Sequence, residues 1–400
     1  MESNRGFWRK TERGIRTLFL GFFPLIMLLA LVLHGAEHGA SAVPASSPDV
    51  APTGPPLDYR EARFNFGRGF IGDGWRLFFN EPDASAARES YEGGIEMALV
   101  EAIQETQDQL DVAAFEMNSE PIVEAILEAH QRGVAVRIVT DDDHGLNDKA
   151  DEALRSFQAA GVPLVDDGRS GLMHNKFMIL DGRAVWTGSW NYTVNGTYRN
   201  NNNVLVLENE WAAAAFQAEF DEMFERGEFG TRSTDDGIVR FSHADGEVSL
   251  IFASEADEVS GLRAEIARAA RSIHIMTFVF SLEELAEAIL LQAAQADLVL
   301  RGVFEKRNST ASWSQMPALH CAGAEIRQDG NRYTLHHKVI IIDEHTVITG
   351  SFNFSNSAAK RNDENIVIIR NADIARLYLD EWRHIWDSAS ELDPAEVNCD

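Results

Sequence analysis

From about Tyr59 onward the apolar residues fall in short runs of strand length, separated by longer stretches with helical spacing, and the order of these runs occurs twice. WRLFFNEP (Trp75–Pro82) corresponds to VSLIFASE (Val248–Glu255), and both read as buried strands. A helical stretch follows each, around Tyr91–Gln107 and Gly261–Arg271. Then come the strand-like LDVAAFEM (Leu110–Met117) and IHIMTFVF (Ile273–Phe280), and helices sharing the tetrapeptide EAIL at Glu124–Leu127 and Glu287–Leu290. VAVRIVTD (Val134–Asp141) and LVLRGVFE (Leu298–Glu305) are the next strands. Two segments, each about 150 residues long, therefore carry one order of elements, too large for a solenoid repeat. The pattern predicts an α/β protein of two pseudo-symmetric lobes, 59–230 and 231–400, each a mixed β-sheet flanked by helices. The crossover helices predict largely parallel pairing within each lobe.

The N-terminus differs. A basic stretch to Arg16 precedes an apolar run from Thr17 to Leu33, and Ala40-Ser41-Ala42 then offers a signal-peptidase pattern. Residues 1–42 read as a signal peptide or an uncleaved signal anchor; either exports the remainder, as a secreted, periplasmic or membrane-attached protein. Residues 43–58 are rich in Pro, Ala and Ser and read as a linker. Net charge is −28, which argues against a protein that coats nucleic acid non-specifically but leaves room for a small basic site in a cleft. Cys321 and Cys399 are the two cysteines; they make neither a disulfide framework nor a zinc site, and they read as two unrelated thiols, a single bridge tying down the C-terminus being the other reading.

Chemistry concentrates near the end of each repeat. HNKFMILDGRAVWTGSWN runs from His174 to Asn191, and HHKVIIIDEHTVITGSFN from His336 to Asn353. His, Lys, Asp, Gly, Ser and Asn all match at one constant offset, the separation between His174 and His336. An inert duplicated element explains repeated apolar residues well, but repeated His, Lys and Asn poorly. His and Lys are two apart, so on a strand both face one side. Each lobe then presents an imidazole, an ammonium, a hydroxyl and an amide in one neighbourhood. Two such sets suit a phosphodiester: one imidazole attacks phosphorus and the other protonates the leaving oxygen. The lysines and asparagines hold the non-bridging oxygens, so no metal or other cofactor is called for.

These two blocks resemble the paired catalytic motifs of the phospholipase D superfamily, and the likeness covers almost the whole chain after the linker. It implies a two-lobed sandwich with the site at the lobe interface, complete in a monomer, and a covalent phosphohistidine intermediate. The catalytic set it implies is His174, Lys176, Asp181, His336, Lys338 and Asp343, with His174 as nucleophile and His336 as general acid. Ser189, Asn191, Asn202, Ser351, Asn353 and Glu364 are the implied phosphate-binding or orienting residues. Glu364 matches Asn202 at the same offset as the motifs. If each serves the histidine of its own half, His336 has a carboxylate partner and His174 an amide, which would favour His336 as nucleophile. The division of labour stays open. So do the roles of Asp181 and Asp343, for which bonding to backbone near the motif is the alternative.

Other features weigh less. Asp141-Asp142-Asp143-His144 has the look of a metal cluster but ends a strand without a matching second half, and reads as a solvated acidic loop. Trp190, Tyr192, Phe352 and Trp313 are candidates for a substrate groove, packing beside the site being the alternative. The substrate expected is a phospholipid, hydrolysed without metal, with membrane association through residues 17–33. An exported endonuclease acting on nucleic acid, a phosphatidyl transferase resembling cardiolipin synthases, and a non-enzymatic binder of phosphate ligands are the alternatives.

Overall fold

A computed structural model describes residues 58–400, apart from 84, 144–149, 234–236, 245, 255–256, 295–297, 394 and 400. The signal or anchor at 1–42, nearly all of the linker, and His144 lie outside the described residues. No helix among those described is long and apolar enough to cross a membrane.

The first half forms β1 (Arg60–Phe64), β2 (Gly67–Ile71), β3 (Trp75–Asn80), β4 (Gln109–Ala114), β5 (Ala135–Thr140), β6 (Leu164–Asp166), β7 (Lys176–Leu180), β8 (Ala184–Gly188), the two-residue β9 (Asn200–Asn201) and β10 (Asn203–Glu208). The second half forms β11 (Val239–His243), β12 (Gly246–Phe252), β13 (Ser272–Thr277), β14 (Val299–Phe304), β15 (Glu325–Gln328), the two-residue β16 (Thr334–Leu335), β17 (Lys338–Ile342), β18 (Thr346–Gly350), β19 (Asn365–Arg370) and β20 (Ser390–Glu391). Each half builds one nine-stranded sheet, ordered β1-β2-β3-β10-β8-β7-β4-β5-β6 and β11-β12-β19-β18-β17-β13-β14-β15-β20. From β2 and from β11 onward the two orders match strand for strand, so the repeat read in the sequence is a repeat of topology.

The expectation of largely parallel pairing fails. In each sheet only two neighbouring pairs are parallel, β4-β5 and β5-β6 in the first, β13-β14 and β14-β15 in the second. Crossover helices do join those strands, Glu120–Arg132 linking β4 to β5 and Glu283–Ala293 linking β13 to β14. The motif strands return instead as tight hairpins, β7-β8 and β17-β18, which are necessarily antiparallel.

Every residue of β7 and β17 is buried, because both faces of each sheet are covered. Phe177 and Ile179 point to one side with Val339, Ile341, Val367 and Tyr378 of the other half, forming a core shared by the two sheets. The helices Glu210–Asp221 and Ala372–Ser388 contribute Phe216 and Trp382 to it. Met178 and Leu180 point to the outer face, against Leu99, Ile126 and Phe157. Ile340 and Ile342 do the same against Leu262, Leu285 and Leu319. The apolar runs FMIL and VIII are thus continuous because two cores, not one, consume them.

Cys321 and Cys399 are not unrelated thiols: they form a disulfide, with Cα atoms 5.4 Å apart, that closes a loop of 78 residues. Spacing alone could not show this, because the helix Met316–Cys321 is brought to the C-terminal segment by tertiary packing, with Val397 buried in the second outer core. A loop of that length is worth about 4 kcal/mol in the chain-entropy account. Cys399→Ser is therefore expected to lower the Tm by several degrees while leaving the far-UV spectrum unchanged; an unchanged Tm in calorimetry would show that the bridge contributes nothing.

Candidate active site

The segments that carry the histidines cross from one lobe to the other. Just before His336, β16 pairs in parallel with β9, and the His336 N–H donates to Asn201 O at 3.0 Å. In the equivalent place Met173 bridges to Asp363, and the His174 N–H donates to Asp363 O at 3.0 Å. Each motif is therefore held by the backbone of the opposite half.

The same crossing decides the histidine partners. His174 Nδ1 lies 2.7 Å from Glu364 Oε2, and His336 Nδ1 lies 2.9 Å from Asn202 Oδ1 and 3.0 Å from Ser189 O. The expectation that Glu364 serves His336 and Asn202 serves His174 is thus reversed. Glu364 and Asn202 follow the motif of their own lobe in sequence, but the lobes interleave at the site, so each reaches the other lobe's ring. Ser351 Oγ donates to Glu364 Oε2 at 2.7 Å, and Ser189 Oγ donates to Asn202 Oδ1 at 2.8 Å. The serines orient the group that orients the histidine.

The lysines are buried to about the same degree as the core, each 1% exposed. Lys176 Nζ donates to His174 O at 2.6 Å and Lys338 Nζ to His336 O at 2.8 Å. Each ammonium also sits over an aromatic ring, Phe115 at 4.8 Å and Phe278 at 5.2 Å, and the same rings pack against His174 and His336. Burial lowers Lys176 to about 8, against the charges of Glu364, Glu116 and Asp141. Burial and the neighbouring Lys176 hold Lys338 well below its ordinary value. Burial, then Lys338, Lys176 and His174, hold the His336 imidazole far below its usual range. Burial also raises Glu364 to about 7, although both lysines and the Ser351 and Asn362 hydrogen bonds oppose this. Burial thus works against the charged forms of Lys176, Lys338, His336 and Glu364 alike, and an anion between the lobes would favour the charged lysines.

Asn191 and Asn353 follow the second strand of each motif hairpin, β8 and β18. Asn191 Nδ2 donates to Glu116 Oε2 at 3.1 Å, and the buried Oδ1 atoms of both asparagines lack a hydrogen-bond partner among the described residues. Asp181 and Asp343 are not brought to the histidines. They stand past the far ends of β7 and β17, five and seven residues from the catalytic end of the motif being roughly 16–23 Å of extended chain. Asp181 accepts the N–H groups of Gln107, Asp108 and Gln109, and Asp343 those of Ala270, Arg271 and Ser272. Both residues have positive φ, 51° and 54°, in the hairpin turns. The fixed Lys-to-Asp spacing is thus the length of a strand plus its turn. For Asp181, burial opposes ionisation, but the three N–H donors outweigh it and hold the carboxyl below its ordinary value.

A second layer lies beneath, and the motif reading missed it. Asn203 Nδ2 donates to Thr349 Oγ1 at 2.9 Å and Thr187 Oγ1 donates to Asn365 Oδ1 at 2.8 Å, both across the lobe boundary. Asn175 and His337 continue the network to Asn365 and Asn203, and then to Glu219 at 2.9 Å and Glu381 at 3.3 Å. The signal was present: Asn175 and His337, Thr187 and Thr349, Asn203 and Asn365, and Glu219 and Glu381 are all separated by the offset that relates the two motifs. Trp190, Tyr192 and Phe352 are 2% exposed and belong to packing, not to a groove, whereas Trp313 is 46% exposed. The acidic loop is also not simply solvated. Asp141 and Asp167 are buried, and the carboxylates of Asp141, Asp142 and Asp167 lie within 4.8 Å of one another. Asp141 accepts the Met173 N–H, and Asp167 accepts the Asp142 N–H and faces Arg169 Nε at 3.4 Å. The protein itself thus engages the cluster.

Two interleaved α/β lobes that share paired imidazoles and ammoniums define a class, and the comparisons agree with it. The family described as "Cardiolipin synthase, PLD-like domain" matches residues 99–224 and again 262–386. A "Mitochondrial cardiolipin hydrolase" of Chlamydomonas reinhardtii is 36% identical over 116 residues, 29% of this chain and 51% of that protein. A "Phospholipase D" of Rickettsia felis is 34% identical over 136 residues, 34% of this chain and 68% of that protein. The chain thus spans about half the length of several curated relatives it matches. In fold it is similar to the phosphatidylserine synthase of Haemophilus influenzae Rd KW20, with a TM-score of 0.57 over 74% of this chain and 85% of that one at 12% identity. The chain belongs to the PLD-like domain family of the phospholipase D superfamily.

Because Asp181 binds backbone and not substrate, Asp181→Asn is expected to lower stability by about 1–3 kcal/mol with kcat within a few-fold of wild type. Because its folded carboxyl is depressed, the loss should be full above the unfolded value near 4 and vanish as pH falls below both values. A variant of unchanged stability and greatly reduced kcat would reverse this assignment.

Proposed function

We propose that the chain is an exported, metal-independent phosphodiesterase that hydrolyses phospholipids through a phosphohistidine on His174. The single observation that carries the division of labour is the 2.7 Å contact between Glu364 and His174 Nδ1, set against the neutral Asn202 amide on His336. A carboxylate at Nδ1 fixes the tautomer and raises the basicity of the ring, so Nε2 of His174 attacks phosphorus. The P–O bond to the leaving alcohol breaks, and His336 delivers a proton to that oxygen. His336 Nδ1 faces two acceptors, Asn202 Oδ1 and Ser189 O, so it keeps its hydrogen and Nε2 is the atom that carries the proton. Burial and the neighbouring cations oppose the imidazolium that delivers it, the bound anionic diester offsets this, and the ring returns to its favoured neutral form as the proton leaves. In the second half His336 takes a proton from water, the water oxygen attacks phosphorus, and the P–N bond to His174 breaks. Lys176, Lys338, Asn191 and Asn353 hold the non-bridging oxygens.

Hydrolysis of lipid is favoured over other diesters by the matched relatives named for cardiolipin hydrolase and phospholipase D. Export is supported by the signal-like N-terminus and by the Cys321–Cys399 disulfide, a bond that persists in oxidising compartments. Both site halves lie in one chain, so a monomer suffices.

The test uses a diester with a good leaving group, bis(p-nitrophenyl) phosphate. His336→Ala should release about one nitrophenolate per enzyme in a burst and then stall, because the first step no longer needs an acid while the second still needs a base. His174→Ala should show no burst, and wild-type turnover should survive EDTA. A burst from His174→Ala, or loss of activity in EDTA restored by a divalent ion, would overturn the mechanism.

A further inference from the structure

The crossing segments that carry the histidines are each clamped by one side chain, and the two clamps make the same bonds. Arg169 and Asn331 are separated by the offset of the repeat, as are Arg361 and Arg199, Asp363 and Asn201, and Leu172 and Thr334. Arg169 Nη1 donates to Arg361 O, and Nη2 donates to Asp363 Oδ2 and, at 3.5 Å, to Leu172 O. Asn331 Nδ2 donates to Arg199 O at 2.9 Å, to Asn201 Oδ1 at 2.6 Å and to Thr334 O at 3.2 Å. The acceptors of one half are thus the acceptors of the other. The turns behind the clamps correspond too. Asp167 accepts the Asp142 N–H at 3.0 Å and faces Arg169 Nε at 3.4 Å. Asp329 accepts the Lys306 N–H at 2.8 Å and the Asn331 N–H at 3.0 Å, so Asp142 and Lys306 are counterparts.

What differs is charge. Residues 363 and 364 are Asp and Glu, whereas their counterparts 201 and 202 are both Asn. Burial raises Asp363 to about 6; Arg169 and the Gly230 N–H oppose this, and Glu364 adds to it. Where the adjacent pair is acidic the clamp is a cation, and where the pair is neutral the clamp is an amide. The guanidinium is also the larger group, and its surroundings make room for it. A Cβ at Gly171 or at Gly230 would stand 2.5 Å from Arg169 Nη1. The counterpart of Gly171, beside the shorter Asn331, is Tyr333. Both clamps reach the site through one residue. Asp363 O accepts the His174 N–H at 3.0 Å, and the next residue is Glu364, 2.7 Å from His174 Nδ1. Asn201 O accepts the His336 N–H at 3.0 Å, and the next residue is Asn202, 2.9 Å from His336 Nδ1.

We infer that Arg169 is a positioning residue for the nucleophile: it holds Asp363 in place as the backbone acceptor of His174 and supplies the counter-charge that lets Asp363 and Glu364 stand side by side. Asn331 is its neutral counterpart and positions the segment of His336. The inference rests on the roles given above to His174 and His336. Neither clamp touches the substrate. A guanidinium suits the first half because it bonds a carboxylate and two carbonyls at once and keeps its charge at any working pH. Without it, an unopposed carboxylate would lie next to Glu364, in a buried setting that already favours the protonated form of both. A proton on Glu364 removes the charge that supports His174 Nδ1 and lowers the basicity of Nε2, so attack on phosphorus slows. Each clamp is therefore tied to one event, Arg169 to phosphorylation of His174 and Asn331 to proton transfer through His336.

The test uses the full chain carrying His336→Ala, in which bis(p-nitrophenyl) phosphate reports the first step alone as a burst of nitrophenolate. Adding Arg169→Ala should slow the burst on the order of tenfold or more while its amplitude stays at about one per chain. Adding Asn331→Ala instead should slow the burst by no more than about twofold, although Asn331→Ala in the otherwise intact chain should lower steady-state kcat on the order of tenfold. The amide pair Arg169→Gln/Asp363→Asn should burst faster than Arg169→Gln alone, because the unopposed carboxylate is gone. A burst of full rate with Arg169→Ala would overturn the inference. So would a smaller amplitude at an unchanged rate constant, which marks a loss of folded chain and nothing more. Equal slowing by Asn331→Ala, or additive losses from Arg169→Gln and Asp363→Asn, would also overturn it. No burst from His336→Ala with Arg169 intact would overturn the histidine roles themselves, a result separate from any dependence on Arg169.

Discussion

Glu364 is fully buried, and burial alone drives a carboxyl toward its neutral form. It is held where it is by His174 Nδ1, the Ser351 hydroxyl and the Asn362 amide, and it feels both motif lysines. Two of those partners, His174 and Lys176, come from the opposite lobe. A buried ionisable cluster of this kind is costly unless every member is satisfied, and here satisfaction requires the two lobes to be docked in one register. The site and the lobe interface are therefore one structure. The shared core of Phe177, Ile179, Val339, Ile341 and Tyr378 supplies the hydrophobic drive for docking, and the Asn203–Thr349 and Thr187–Asn365 bonds fix its alignment.

That dependence accounts for an imperfect symmetry. The duplication places equivalent atoms in equivalent positions, down to the paired donation of Lys176 and Lys338 to the carbonyls of His174 and His336. Hydrolysis of a diester by one nucleophile and one acid requires the two histidines to differ. The sequence introduces the difference at a few points: Glu364 against Asn202 beneath the rings, Glu116 against Val279 beside them, and Asp142 against Lys306 on the flanks. The first point distinguishes the two rings by what each faces at Nδ1, a carboxylate for His174 and an amide oxygen for His336.

Much of this was legible before the structure. The constant offset between the motifs revealed the duplication, and the shared order of elements along the chain and the neighbourhood of His174, Lys176, His336 and Lys338 were read with it. What remained hidden was whatever depends on contacts between the halves. Glu364 reads as the partner of His336 because the two are near in sequence, yet it serves His174. Asp181 and Asp343 were implied as catalytic by the resemblance, with bonding to backbone as the alternative, and it is the alternative that the structure shows: the fixed spacing measures a strand and its turn. Asp167 completes the acidic cluster from a strand end that lies 25 residues beyond Asp142. Cys321 and Cys399 pair only because tertiary packing brings a short helix to the C-terminal segment. The parallel pairing inferred from crossover helices holds for three strands of each sheet and fails where hairpins take over.

The account stands on the crossed assignment of Glu364 to His174, and peptide mapping of the trapped covalent intermediate tests it most directly. Wild type and the reciprocal variant Asn202→Glu/Glu364→Asn are quenched in alkali during turnover of a diester with a good leaving group, and the phosphorylated peptide is located by mass spectrometry. The account predicts phosphate on the peptide containing His174 in wild type, and its appearance on the His336 peptide when the carboxylate is moved to Asn202. Phosphate on His336 in wild type would contradict it.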